Sequence, residues 1–143
     1  MCGFTGFTGN IKNQKKIIKA MNEKIIHRGP DSDGFFMDEN IALGFRRLII
    51  IDLEGGSQPI FNEDKSKVIV FNGEIYNFES IKKELKKCGH KFKTNADTEV
   101  ILHGFEEWGE KILDRLRGMF AFCIYDLNTN DVFILTFNVK TVK

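Results

Sequence analysis

The sequence predicts an α+β fold of antiparallel sheets layered with helices, on three observations. Strand-like runs and amphipathic helical runs are interleaved along the 143 residues without the regular alternation of a doubly wound sheet. The run 119–125 (Met-Phe-Ala-Phe-Cys-Ile-Tyr) is apolar on both faces, as a strand buried between layers must be. Segments 78–87 and 97–108 carry apolar residues at helical spacing and therefore need a surface to pack on.

Residues 2–8 read as a short strand, with Gly3 and Gly6 allowing close approach of backbone or substrate. Residues 13–26 turn helical: Ile17, Ile18, Met21 and Ile25 share one face and lysines cover the other. The run His27-Arg28-Gly29-Pro30-Asp31-Ser32-Asp33-Gly34 is a loop, rich in turn formers. Strands follow at 34–37, 41–45 and 48–51, then a glycine-containing loop at 53–59 and a strand at 68–71. Asn72-Gly73 reads first as a tight hairpin turn. The helix at 78–87 groups Ile81, Leu85 and Cys88. The helix at 97–108 stacks Val100, Ile101, Phe105 and Trp108 behind Asp97 or Thr98 as its cap. Ile112, Leu113 and Leu116 form a further short helix, and residues 126–131 connect the strand at 119–125 to a last one at 132–137.

Composition narrows the function classes. Hydrophobic residues are 42% and charged residues 29%, enough for one domain with a real core. Net charge is +1 and no block of one sign occurs, so a nucleic-acid partner or an anionic membrane surface has no support. The start lacks a signal-peptide pattern, and the longest apolar runs are too short to span a bilayer. Cys2, Cys88 and Cys123 form no Cys-x-x-Cys pair, which fits a reducing cytoplasm; Cys88 and Cys123 fall on apolar positions and read as core. His27, His90 and His103 show no metal-ligand spacing, so no metal is expected. Asp31-Ser32-Asp33-Gly34 places its glycine too early for a calcium loop, and Gly55-Gly56-Ser57 lacks the lysine of a phosphate-binding loop.

The residue with most chemical potential is Cys2. Once the initiator methionine is removed, it carries a thiol nucleophile and a free α-amine of pKa roughly 7.7–8.0 on one residue. A thiol attacking a carbonyl needs donors for the oxyanion. Asn72 offers a side-chain amide and Gly73 a backbone N–H with room for approach. Arg47, before an apolar run, is able to grip a carboxylate through two parallel hydrogen bonds. Asp97, where a loop enters a helix, is able to hold an ammonium group. The plain alternatives are a surface charge for Arg47 and a helix N-cap for Asp97.

Several motifs in one order carry a family resemblance over residues 1 to about 134. Met1-Cys2-Gly3-Phe4 and His27-Arg28-Gly29-Pro30-Asp31 resemble the class II glutamine amidotransferases, which are N-terminal nucleophile hydrolases. Arg47-Leu48-Ile49-Ile50-Ile51-Asp52, Gln58-Pro59, Phe71-Asn72-Gly73-Glu74-Ile75-Tyr76-Asn77, Asp97-Thr98-Glu99-Val100-Ile101-Leu102 and the run 116–122 are similar to the glutamine-hydrolysing asparagine synthetases. The resemblance implies an αββα sandwich of two antiparallel sheets between helical layers, with residues 1–143 as a glutaminase domain. It implies that Cys2 attacks the side-chain amide of L-glutamine, with Asn72 and Gly73 as the oxyanion hole. Arg47 would hold the α-carboxylate, Glu74 and Asp97 the α-amino group, and backbone groups of Ile50 and Ile51 would add contacts. Arg28 and Asp31 would shape the nearby loop.

The chain departs from the family in two ways. The Ser-Gly-Gly-x-Asp-Ser loop of the synthetase domain is absent, so ATP and magnesium would belong to a domain this sequence lacks, and the glutaminase domain itself needs no cofactor. After residue 134 the family's Arg-Asp continuation is replaced by Leu135-Thr136-Phe137-Asn138-Val139-Lys140-Thr141-Val142-Lys143, as a truncation or frameshift would leave it. Open sheet edges, and a marginal chain that leans on a synthetase domain or full-length homologue, are the corresponding expectation. Two alternatives to an active glutaminase are an inactive remnant or binding fragment of a synthetase, and a module of another class II amidotransferase.

Overall fold

The computed structural model describes residues 2–49 and 57–137. Ile50 and Ile51, most of the predicted loop 53–59 and the tail from residue 138 lie outside the described residues.

Two antiparallel sheets face each other between helices, the layered α+β architecture expected. The first sheet has the order β1-β3-β2, built from β1 (Gly3–Thr8), β2 (Ser32–Met37) and β3 (Ile41–Arg47). The second has the order β4-β5-β6-β7, from β4 (Ile60–Phe61), β5 (Lys67–Ile75), β6 (Gly118–Asp126) and β7 (Val132–Phe137). Helix α1 (Gln14–Lys24) covers the outer face of the first sheet. Helices α2 (Phe78–Lys87), α3 (Thr98–Trp108) and α4 (Ile112–Arg115) cover the second.

Alternation along the strands sorts the core into two layers. In β5, Ile69, Phe71 and Ile75 pack toward the helices, together with Phe120, Phe122 and Ile124 of β6. Val68 and Val70 point the other way and meet Ile41, Leu43 and Phe45 of β3, with Cys123 and Tyr125 of β6. Both faces of β5 and β6 are therefore buried, which is why run 119–125 lacks polar alternation. Each fully buried Val, Ile or Phe contributes about 1.5–3 kcal/mol. Asn22 is the polar member of the α1 interface; its Nδ2 donates to the Phe45 carbonyl at 3.1 Å.

Four local expectations change. Asn72-Gly73 does not turn: β5 runs through both residues to Ile75, because nine successive residues pair with β6 from Lys67↔Asp126 to Ile75↔Gly118. Long-range pairing overrides the local turn preference. The predicted strand at 48–51 is not formed at Leu48 and Ile49, and β3 ends at Arg47. The predicted helix 13–26 stops at Lys24 and passes into a 3-10 turn, Ile26–Arg28. Cys88 is exposed just beyond α2, whereas Cys123 is buried, and burial pushes its thiol up to about 11. No described helix is long and apolar enough to cross a membrane.

Candidate active site

The period of two along each strand decides which side chains reach the space between the sheets. Arg47 has the parity of Ile41, Leu43 and Phe45, so at the end of β3 it falls on the inter-sheet side. Arg46 falls on the opposite side and is spent on loop 29–33: its Nε donates to the Gly29 carbonyl at 2.8 Å, and Nη1 lies 3.4 Å from Asp33 Oδ2. Asn72 and Glu74 share the parity of Val68 and Val70 and so face the first sheet. Cys2 precedes β1 in phase with Phe4, which packs against the same inter-sheet core.

These positions meet at one end of the sandwich, where β1 and β6 begin and β3 and β5 end. A cavity of about 270 Å³ there is lined by Cys2, Arg47, Asn72, Gly73, Glu74 and Asp97, with Phe45, Leu48, Gln58, Phe71, Ala96, Thr98 and Met119. All the sequence-selected side chains that lie within the described residues are thus brought together; Ile50 and Ile51 lie outside them.

Cys2 is half-buried and tethered on several sides. The Leu48 N–H points at its Sγ at 3.4 Å, and Sγ lies 3.8 Å from the Leu48 carbonyl oxygen. Arg28 Nε donates to the Cys2 carbonyl at 3.3 Å. Asp31 supports the same corner: its N–H donates to the Arg47 carbonyl at 3.1 Å, and its Oδ2 accepts from the Ile49 N–H at 2.6 Å. Gly29 is required beneath them, since a Cβ there would lie 2.6 Å from both the Arg46 oxygen and the Arg47 carbonyl carbon. The loop 27–33 therefore acts on the cavity by gripping the backbone of Cys2 and of the strand end that carries Arg47.

The end of β5 is equally braced. Gly73 has φ +152, and a Cβ there would run into the Met119 carbonyl oxygen and lie 2.5 Å from Phe120 Cα, so no side chain is accommodated. The Asn72 side-chain oxygen is buried with no hydrogen-bond partner. A buried side-chain oxygen in that state is uncommon and calls for a partner such as a water or a bound ligand. Gln58 pairs both of its amide atoms with one residue, Nε2 donating to the Phe71 carbonyl at 3.0 Å and Oε1 accepting from the Phe71 N–H at 2.5 Å. It thereby fixes the backbone immediately before Asn72.

Asp97 stands at the entrance to α3 but makes no side-chain cap. Its Oδ2 instead accepts from the Ile75 N–H. Burial raises the pKa of this carboxyl above 3.8, the Ile75 hydrogen bond opposes that rise, and the charge of Glu74 adds to it. Two carboxylates lining one cavity, Glu74 and Asp97, form a receptive site for one ammonium group. With Arg47 on the other wall, the cavity has a cationic and an anionic side, and the thiol and the Asn72 amide share it. It can bind a zwitterion and offer a nucleophile beside a neutral donor.

Gln58 is the residue whose part sequence reasoning did not assign. Its proximity to Pro59 marked the motif, but its pairing with Phe71, thirteen positions away, follows only from the fold. Phe45 likewise enters the wall by strand parity rather than by motif, and Met119, inside the run 116–122, joins it without having been assigned a part.

Comparison with known proteins agrees with this architecture. Residues 1–136 match the family described as a glutamine amidotransferase domain. Glutamine-hydrolyzing asparagine synthetase 1 of Bacillus subtilis is 48% identical over 133 residues, which cover 90% of this chain and 21% of the relative. A glutamine-hydrolyzing asparagine synthetase of Oryza sativa is 44% identical over 130 residues, covering 88% of this chain and 22% of the relative. The chain thus spans about a fifth of the length of the curated relatives it matches. Among solved structures, the glutamine phosphoribosylpyrophosphate amidotransferase of Bacillus subtilis, complexed with ADP and GMP, superposes with a TM-score of 0.72 at 20% identity, covering 89% of this chain and 35% of that one. At that identity the likeness speaks for the fold alone, two antiparallel sheets packed between helices.

Proposed function

Since this chain belongs to the glutamine amidotransferase domain family, we propose that it hydrolyses the side-chain amide of L-glutamine with Cys2 as nucleophile, as the glutaminase half of asparagine synthesis. The observation that carries this reading is the convergence of Cys2, Arg47, Asn72, Gly73, Glu74 and Asp97 on one cavity.

After removal of Met1, the Cys2 α-amine accepts the thiol proton as Sγ attacks the amide carbon. A C–S bond forms, and the negative charge on the amide oxygen is met by the Asn72 side-chain amide and the Gly73 N–H. The amine returns the proton to the leaving nitrogen, the C–N bond breaks and ammonia departs. Water then attacks the γ-glutamyl thioester, releasing glutamate and the thiol. Arg47 binds the α-carboxylate, and Glu74 and Asp97 bind the α-ammonium, so that the side chain of glutamine is aimed at Cys2. Backbone groups of Ile50 and Ile51 complete the contacts. This chemistry calls for no cofactor; ATP and magnesium belong to a synthetase domain, the partner to which the ammonia passes. A cytoplasmic location fits the three free cysteines.

The test is ammonia and glutamate release from glutamine by methionine-processed protein. Turnover should vanish in Cys2→Ala and in protein that retains Met1. Processed, folded protein that neither turns over nor traps a thioester would overturn catalysis.

A further inference from the structure

His90, His103, Glu63 and Glu106 come from three parts of the chain and meet with one ligand atom each inside 4.8 Å. Glu63 sits in the turn from β4 to β5, His90 just after α2, and His103 and Glu106 on one face of α3, three positions apart. We propose that these four residues form a binding site for a divalent transition-metal ion of the zinc type, outside the glutamine cavity.

The separations approach those of a tetrahedral centre. His103 Nδ1 lies 2.9 Å from Glu106 Oε2 and 3.3 Å from Glu63 Oε2. His90 Nδ1 lies 3.6 Å from Glu63 Oε1 and 3.9 Å from Glu106 Oε2. Bonds of about 2.0–2.2 Å in a tetrahedron set ligand atoms about 3.3–3.6 Å apart. Small side-chain shifts therefore suffice, with the ion taking the place of the proton shared by His103 and Glu106.

The outer surroundings are built as a metal site requires. Each imidazole turns its other nitrogen to a further carboxylate: His103 Nε2 lies 3.7 Å from Glu99 Oε2, and His90 Nε2 lies 3.2 Å from Glu107 Oε2. Such carboxylate–histidine pairs fix the ring orientation and make the ligating nitrogen more basic. The carboxylates are themselves held. Glu106 Oε1 accepts from Asn62 Nδ2 at 2.6 Å, and Glu63 Oε1 from the Lys91 N–H at 2.9 Å. Glu99 accepts from the Lys93 and Thr94 N–H groups at 2.9 and 2.8 Å. His103 is 2% exposed while Glu63 is exposed, so the site has a buried floor and an open entrance. Two imidazoles with two carboxylates suit zinc, cobalt or manganese rather than calcium or magnesium. The ion would staple the β4–β5 turn and the end of α2 to α3, the helix that begins beside Asp97.

The full chain, stripped with a chelator and dialysed against zinc, should retain one equivalent by mass spectrometry of the metal and melt at a higher temperature than the stripped form. Cobalt should give a tetrahedral spectrum without a thiolate charge-transfer band, and Cys88→Ala should bind zinc as the unaltered chain does. H90Q and E63Q, outside the fully buried floor of the site, should weaken zinc binding roughly tenfold or more, and E107Q, one shell out, about 10–100-fold. Circular dichroism identifies any variant that fails to fold. Absence of stoichiometric metal in folded protein, a thiolate band, or wild-type affinity in folded H90Q and E63Q would overturn the proposal.

Discussion

The Asp97 carboxylate accepts a hydrogen bond from the Ile75 backbone N–H at 2.8 Å, tying the entrance of α3 to the last residue of β5. The wall that carries Asn72, Gly73 and Glu74 is therefore held in place by the same group proposed to receive the ammonium of glutamine.

Burial raises the Asp97 pKa above its ordinary 3.8 in the folded chain. The folded state then binds more protons than the unfolded state between those two values, so this group contributes stability at low pH that is lost as pH rises through the window. Asp97→Asn, which can still accept from Ile75, should melt no lower than the unaltered protein at neutral pH without glutamine. It should also flatten the pH dependence of the melting temperature just above pH 3.8. Its KM for glutamine should rise, because the carboxylate is gone. Melting curves across pH, with and without glutamine, check both parts.

Asn72→Ala removes one oxyanion donor and a side-chain oxygen that has no partner to lose. The folded protein should persist with little change in stability, while kcat falls about 10²–10³-fold and KM changes little. Steady-state ammonia release is the measurement.

Arg47→Lys keeps the charge and loses the planar fork. If the guanidinium makes two bonds to the α-carboxylate, KM should rise about ten- to hundredfold, since a charged hydrogen bond contributes about 1.5–3 kcal/mol. Comparing glutamine with its α-carboxamide derivative in both proteins isolates this interaction.

Gln58→Ala leaves the Phe71 N–H and carbonyl without their amide partner. The cost should be about 1–3 kcal/mol in urea unfolding, with loss of glutaminase turnover because Asn72 is no longer held. Gly73→Ala acts on the next residue by collision with Met119 and Phe120 and should destabilise the β5–β6 pairing by about 1–3 kcal/mol or more.

The parts of this molecule readable in advance are those set by local pattern. Helix α2 runs over 78–87 as predicted because Ile81 and Leu85 recur at helical spacing and nothing distant competes. Run 119–125 is the buried strand it promises to be, because only a two-sided core tolerates Phe120, Phe122 and Ile124 opposite Cys123 and Tyr125. Asn72-Gly73 misled because a dipeptide preference of a fraction of a ladder is outweighed by continuous pairing with β6. Cys88 misled because it lies one turn past Leu85 but beyond the helix end. That Arg47 and not Arg46 faces the cavity follows from strand parity, since β3 runs to Arg47. The His90–His103 cluster was invisible, since its four members are spread from position 63 to position 106.

Strand phase has a consequence for how this site tolerates change. Cys2 reaches the cavity because β1 pairs with β3 as Gly3↔Arg46 through Thr8↔Ile41. A slip of one residue would turn the thiol toward α1 and present a glycine to the substrate. The same shift in β5 would exchange Asn72 for Phe71 or Gly73 at the cavity wall. The nucleophile and its oxyanion donors thus stand on two independent rulers whose zero points must agree. Deletion of a single residue within 3–8 or 67–75 would mis-set the reaction centre even where every functional side chain is retained.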